Sequence, residues 1–309
     1  MPMKCKDLLS IADLSKADIE EIFHATTELK EWHNKGYDEK CLNGKILGMI
    51  FEKSSMRTRV SFEVAMIQMG GHAIYLTQSD INLGKREAVK DGARVLSRYV
   101  DGIVIRTFGQ ETIQELSRYA TVPVINALSD YLHPCQALTD MYTIKEKFGT
   151  YTQAKIVFIG DGNNVARSLA QICAKLDVHF HIASPKGYEL TPDFISRTKQ
   201  MTDGNEVIHL YQDPKKAAEN AQVIYTDTWV SMGQEAEKEV RQQAFAGFQI
   251  NNDILKLAKD DVKVMHCLPA HRGEEITDEV IDGPHSIVYD QAENRLHVEK
   301  ALLKLLLRK

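Results

Sequence analysis

The segment Phe51-Glu-Lys-Ser-Ser-Met-Arg-Thr-Arg59 gathers hydroxyls, backbone amides and guanidinium groups where a helix should begin. It follows the apolar run Ile46 to Phe51 and precedes a helical pattern at Phe62, Ala65, Met66 and Met69, so Arg57 and Arg59 fall in the first helical turn. The helix dipole already places about half a positive charge there and disfavours cations. An anion is therefore expected. Free N–H groups at residues 56 to 58, the hydroxyls of Ser55 and Thr58 and the guanidinium of Arg57 make a cradle for a phosphate or a carboxylate. The plainer reading is that Ser55 only caps the helix and both arginines are solvated.

Four further constellations stand at the ends of expected strands. Arg106 follows the apolar Ile103-Val-Ile105, and His133-Pro-Cys-Gln136 lies between a strand and a helix, so both can converge on the cradle. Each alone is ordinary, since a histidine before proline is often structural; their joint placement at successive strand termini favours one site. Asp227-Thr-Trp-Val-Ser-Met-Gly233 offers a carboxylate, a hydroxyl and an apolar side chain, a set that suits an ammonium group on an aliphatic stem. The alternative there is a plain strand-end aspartate and turn. In His266-Cys-Leu-Pro-Ala-His-Arg-Gly273, Cys267 is open to three readings: nucleophile, hydrogen-bond partner or buried small residue.

Ile159-Gly-Asp-Gly-Asn-Asn-Val165 invites a dinucleotide-binding reading. The motif is incomplete. Val165 stands in place of the third glycine, and Ile182-Ala-Ser-Pro-Lys186 lacks the acidic residue expected about 20 residues on. A turn that presents the Asn164 amide at the carboxyl edge of a sheet is the better reading.

The elements that must hold these residues alternate in strand and helix patterns along all 309 residues, which means α/β. Strands are expected at Ile46–Phe51, Ala73–Leu76, Gly102–Ile105 and Val122–Ile125, with helices near 57–69, 87–99 and 110–119. Ser15-Lys-Ala-Asp18 reads as a capping box opening an earlier helix. A helix from Pro134 to Phe148 ends at Gly149, and Thr150-Tyr-Thr-Gln153 looks like a linker. A second series starts at Ala154–Gly160 and continues through strands near 178–183, 206–210, 222–226 and 263–266. Two domains are expected, each a mostly parallel sheet flanked by helices: 1–149 and 150–289. The segment 290–309 should be a helix that packs back on the first. With 43% hydrophobic residues, each domain has material for its own core.

Composition excludes several classes. No run of about 18 apolar residues is present, and the opening Met1-Pro-Met-Lys-Cys-Lys-Asp lacks a signal-peptide core, so a cytoplasmic protein is expected. A net charge of −5 without a basic block argues against nucleic acid as partner. The five cysteines are widely spaced with no C-x-x-C pair, which predicts reduced thiols rather than disulfides or zinc.

Taken in order, Ser55-Met-Arg-Thr-Arg59, His133-Pro-Cys-Gln136, Asp227-Thr-Trp-Val-Ser-Met-Gly233 and His266-Cys-Leu-Pro269 resemble the motifs of the transcarbamoylases, the ornithine-using members in particular. The resemblance covers essentially the whole chain. It implies that Ser55, Met56, Arg57, Thr58, Arg106, His133, Gln136, Cys267, Leu268 and Arg295 contact carbamoyl phosphate, with Asn82 in a loop reaching in from a neighbouring subunit. Asn164, Asp227, Ser231 and Met232 would contact ornithine. Arg57, Arg106, His133 and Cys267 would be catalytic. The implied reaction moves the carbamoyl group to the δ-amine of L-ornithine, giving L-citrulline and phosphate for arginine biosynthesis. No cofactor and no metal are implied, and the assembly would be a homotrimer, or a multiple of one, with active sites between subunits. The sequence departs from the family pattern at Met56, where threonine is usual, at Asn82, where glutamine is frequent, and at Arg86, where glycine is common. Two other functions compete: a carbamoyltransferase acting on putrescine or another amine, and a non-catalytic anion-binding protein on the same fold.

Overall fold

The computed structural model describes residues 5–152, 154–202 and 204–308. Met1–Lys4, Gln153 of the expected linker and Lys309 of the expected last helix lie outside them. Two compact units emerge. One runs up to Tyr142 and takes in the chain again from Glu293; the other spans Thr143–Ala292. The division falls within two helices, Pro134–Phe148 and Val288–Leu307.

The first unit is built on β1 (Ile46–Phe51), β2 (His72–Thr77), β3 (Gly102–Arg106) and β4 (Val124–Leu128). These form a parallel four-stranded sheet in the order β2-β1-β3-β4. Strands buried on both faces read as unbroken apolar runs, as Ile46–Phe51 and Ile103–Ile105 do. Ile50, Ile103, Ile105, Ile113, Leu116 and Val124 are fully buried in one cluster, each worth about 1.5–3 kcal/mol of transfer free energy. Ser15 and Asp18 form the capping box of the helix Lys16–Asn34. The C-terminal helix packs on this unit, burying Ala301, Leu302, Leu303, Leu306 and Leu307. Gly102 opens β3 without a side chain because Leu307 lies 3.1 Å from where a Cβ would stand.

The second unit carries β5 (Ile156–Ile159), β6 (Phe180–Ala183), β7 (Ile208–Tyr211), β8 (Val223–Thr226) and β9 (Lys263–His266). They form a parallel five-stranded sheet in the order β7-β6-β5-β8-β9. Its core gathers Val157, Ile159, Ala217, Ile224, Phe245, Ile250, Val264 and Ile276.

Strand order fixes where ligands can enter. An open parallel sheet leaves a crevice outside the carboxyl ends of its strands where the winding direction reverses. In the first sheet that point lies between β1 and β3, in the second between β5 and β8. Residues 52–58 and 106–107 leave the first pair of strand ends; residues 160–164 and 227–231 leave the second. Small differences from expectation occur at strand ends: the fourth strand starts at Val124 rather than 122, and the second helix of the series at Val89 rather than 87. Pro123, which has no N–H to give to a ladder, explains the first.

Candidate active site

In the first unit, Ser55 is the N-cap of the helix Met56–Gln68, and its Oγ accepts from the Thr58 N–H at 3.3 Å. The Thr58 amide is therefore committed to the cap, a correction to the expected set of three free amides at 56 to 58. Ser55 does cap the helix, as the plainer reading has it, but Arg57 of the same turn joins a cluster of cations about His133. Arg295, on the C-terminal helix, donates from Nη2 to Thr58 Oγ1 at 3.0 Å and from Nη1 to Gln136 Oε1 at 3.3 Å. Ser55 Oγ donates to Thr58 Oγ1 at 3.1 Å. Arg106 closes β3 next to a register shift between Ile105 and Arg106, where β4 carries an extra residue. Such irregularities re-aim side chains beside functional sites.

His133 precedes the helix Pro134–Phe148 and is buried. Burial first, then the positive charges of Arg295, Arg106 and Arg57, hold its pKa well below the ordinary histidine value. It stays a neutral imidazole at neutral pH, able to donate one hydrogen bond without carrying charge. The same fact places Arg57, Arg106 and Arg295 within electrostatic reach of one ring. The sequence-derived residues Ser55, Arg57, Thr58, Arg106, His133, Gln136 and Arg295 are thus brought together. Met56 is at the first helical position and is 73% exposed. Asn82 ends a short helix, Gln78–Ile81, in a left-handed conformation (φ 43°), and its carbonyl accepts from the Lys85 and Arg86 amides of its own loop.

The second unit presents a different set. Asp227 leaves β8 and accepts from Asn163 Nδ2 at 2.8 Å and from Cys267 Sγ at 3.1 Å. Asn163 is also the N-cap of the helix Asn164–Leu176, so the cap and the carboxylate are one device. Asn164 is the first residue of that helix, its side-chain carbonyl 3.0 Å from the Val165 amide. Ser231 and Met232 lie in the turn after Asp227; the Ser231 amide donates to Gln234 Oε1, and Met232 is 49% exposed. Gly162 is required by packing rather than by a nucleotide: a Cβ there would come within 2.7 Å of the Glu189–Leu190 backbone. That close approach accounts for the glycine pattern that resembled a dinucleotide turn.

Cys267 and Leu268 follow β9. Leu268 has φ 57°, a conformation that costs an ordinary residue of order 1–3 kcal/mol. The surroundings hold it there. The Leu268 amide donates to His266 Nδ1 at 2.9 Å, and His266 Nε2 lies 3.1 Å from Glu275 Oε1, both side chains being fully buried. Since Nδ1 accepts, the proton sits on Nε2 and faces the carboxylate. Ligand atoms of Asp227, His266 and Cys267 lie within 4.8 Å of one another, a spacing that would also fit a metal ion.

Several supporting residues escaped sequence reasoning. Glu299 accepts from Arg295 at 2.9 Å in full burial, one turn along the same helix. Arg241 donates to Asp161 at 2.8 Å and to the Trp229 carbonyl at 3.1 Å, tying the turns after β5 and β8 together. His266 and Glu275 hold the backbone that carries Cys267. For Glu299, the i,i+4 spacing to Arg295 was a usable signal; for Arg241, Glu275 and Asn163 no local pattern marks the partner.

Comparison with known proteins agrees with this geometry. Residues 6–146 match the family model for the aspartate/ornithine carbamoyltransferase carbamoyl-P binding domain, and residues 152–306 the model for its Asp/Orn binding domain. An ornithine carbamoyltransferase of Syntrophus aciditrophicus is 52% identical over 302 residues, 98% of this chain and 99% of that one. One from Pyrococcus furiosus described as anabolic is 51% identical, covering 98% and 96%. The solved structure of the Pyrococcus furiosus ornithine carbamoyltransferase superposes with a TM-score of 0.94 at 51% identity, covering 97% of this chain and 96% of that one. A mitochondrial ornithine carbamoyltransferase from Coccidioides immitis gives 0.90 at 35% identity, covering 100% and 98%. Two strand-end sites, one cationic and one built on a carboxylate and a thiol, on a chain matched from end to end, place this protein in the aspartate/ornithine carbamoyltransferase family.

Proposed function

We propose that the chain transfers the carbamoyl group of carbamoyl phosphate to the δ-amine of L-ornithine, giving L-citrulline and phosphate in arginine biosynthesis. The observation that carries the reading is the convergence of Arg57, Arg106 and Arg295 on neutral His133 at the switch point of the first sheet. Carbamoyl phosphate is an acyl donor with a dianionic phosphate. Arg57, the remaining amides of the 55–58 turn and the Ser55 hydroxyl suit the phosphate; Arg106, His133 and Thr58 suit the carbonyl oxygen, on which charge grows during attack. Donors already in place for that charge need not reorganise during the reaction. A neutral His133 contributes a hydrogen bond there without competing for the proton. Gln136, Cys267, Leu268 and Arg295 complete the set we assign to carbamoyl phosphate.

The acceptor amine must be neutral to attack. With an ordinary alkylamine pKa of about 10.4, only about 0.1% is free base near pH 7.4, a handicap of roughly 4 kcal/mol. Arginines around the carbamoyl group lower that pKa, because like charge and desolvation both disfavour the ammonium. Asp227 is assigned to the α-ammonium of ornithine, with Asn164, Ser231 and Met232 along the rest of the amino acid and Cys267 positioning the δ-amine. The leaving phosphate accepts the proton that the amine gives up.

We assign the domains as 1–149 with 290–309 for carbamoyl phosphate and 150–289 for ornithine. A homotrimer in the cytoplasm, with Asn82 serving a neighbour's site, completes the proposal. Met56, Val60 and Ile67 form one exposed apolar stripe on their helix, and Ile74 is exposed on the edge strand β2, a surface suited to another copy of the chain. The five cysteines are all free thiols, and no helix among the described residues is long and apolar enough to cross a membrane. The test is a steady-state assay of carbamoyl phosphate against ornithine, putrescine and aspartate. Citrulline formation with a kcat/KM far above that for putrescine is the expected result; preference for putrescine, or no turnover with any amine, would refute the assignment.

A further inference from the structure

The second unit carries a cluster that the transfer reaction does not use. β6 and β7 lie side by side at the edge of the five-stranded sheet, and His181 pairs with His209 across them. Alternate residues of extended chain share a face, so His179 and His181 on one segment and His209 and Tyr211 on the other make a single row. The rings touch. His179 Nδ1 lies 3.0 Å from His209 Nε2, the His181 and His209 rings stack with centroids 4.4 Å apart, and the Tyr211 hydroxyl lies 3.0 Å from His181 Nδ1. His179 is exposed and β7 is the edge strand, so the row is open to solvent.

We propose that His179 and His209 chelate a late first-row divalent cation such as Cu²⁺ or Ni²⁺, with water filling the remaining positions. Two nitrogens 3.0 Å apart, each about 2.0–2.1 Å from a shared ion, subtend roughly 95° at that ion. That is the angle between neighbouring ligands in a tetragonal or octahedral site, and imidazole nitrogen suits these metals. Binding gives up the hydrogen bond between the two rings. The ring that donated it moves its proton to its other nitrogen, so two neutral imidazoles ligate and no net proton is released. His181, stacked on His209 and fixed by Tyr211, limits ring rotation and pre-organises the pair. The charged groups that face the cluster are Lys155, next to β5, and Glu206, before β7. Burial, then the neighbouring imidazoles and Lys155, push His181 down to about 3; burial and His179 push His209 down, with Glu206 opposing.

The test is titration of the full chain with Cu²⁺, followed by electron paramagnetic resonance, and with Ni²⁺, followed by calorimetry. Among the described residues two other groups have ligand spacing, Asp227 with His266 and Cys267, and His271 with Glu274 and Glu275, so the decisive quantity is the difference between wild type and variant. H179Q alters an exposed side chain only. H179Q and H179Q/H209Q should each weaken one site by more than about tenfold; the single variant should reduce its nitrogen hyperfine pattern from two imidazoles to one, and the double variant should remove it. Citrulline formation in metal-free buffer should be unchanged. Equal stoichiometry and affinity in wild type and H179Q/H209Q would overturn the proposal.

Discussion

The two strand-end sites are built by opposite means. In the first unit, positive charge is concentrated: three arginines act on one neutral histidine, and hydrogen bonds between Ser55, Thr58, Gln136 and Arg295 lock the donors. In the second, one carboxylate, Asp227, is held by an asparagine and a thiol, and the turn that follows it exposes Met232. A small dianion offers little apolar surface, so its recognition must be electrostatic and pre-organised. A zwitterionic amino acid with an aliphatic stem needs one anchoring charge and a loop that can adapt. The difference predicts that substitutions in the first unit cost more than equivalent ones in the second.

Arg57→Ala is the sharpest way to break that comparison. Charged hydrogen bonds are worth about 1.5–3 kcal/mol each, and losing two lowers kcat/KM for carbamoyl phosphate by about 10²- to 10⁴-fold. The helix should persist, since Ser55 still caps it. Steady-state kinetics and circular dichroism check both parts; a near-native kcat/KM would misplace the phosphate. Asp227→Asn should cost less, about 10- to 100-fold in KM for ornithine, with carbamoyl phosphate almost unchanged. An equal loss for both substrates would mean that the carboxylate acts only by holding Asn163 and Cys267.

How far these sites were legible in the sequence follows from how local their causes are. Ser55, Arg57 and Arg106 were legible because a strand, a turn and a capped helix are decided within a few residues. The parallel sheets, too, follow from alternation of apolar runs with helical periods. Arg295 is different: it bonds Thr58 from 237 residues away, and only the likeness to a family pointed to it. Glu275 beneath His266 and Arg241 beneath Trp229 were invisible, because a buried partner is chosen by the fold and not by its neighbours in the chain. Gly162 was ambiguous by itself, since a glycine demanded by the Glu189–Leu190 backbone looks the same in sequence as one demanded by a phosphate; the missing third glycine and acidic residue decided for the turn.

Histidines extend the contrast to pH. His133 is already neutral, so carbamoyl phosphate binding should show no titration near 6.5. Because only the free amine reacts, kcat/KM for ornithine should rise from pH 6 toward about 8.5. A break near 6.5 in carbamoyl phosphate affinity, read by calorimetry, would contradict a neutral His133. Stability has its own dependence. His297 is buried on the C-terminal helix, and burial, with Lys30, Lys300 and His33 nearby, pushes its pKa down to about 3. Unfolded, it would take a proton near 6.5; folded, it takes one only near 3. The unfolded state therefore binds more protons in that window, and stability falls as pH drops through it, by up to about 1.4 kcal/mol per pH unit from this group. Urea midpoints between pH 7 and 4 should show the slope, and His297→Gln should flatten it.

The smallest effect expected is at Met56, and it separates two uses of one surface. Its side chain sits at the first helical position, exposed, where the resemblance to the family implies a threonine hydroxyl. Met56→Thr adds one neutral donor beside the phosphate cradle, worth about 0.5–1.5 kcal/mol, so KM for carbamoyl phosphate should fall a few fold while the ornithine side stays level. The same change removes an apolar side chain from the stripe it shares with Val60 and Ile67. Sedimentation velocity across a dilution series resolves the two contributions. Tighter carbamoyl phosphate binding with an unchanged assembly would assign position 56 to the ligand; a weakened assembly with unchanged KM would assign it to the contact between copies.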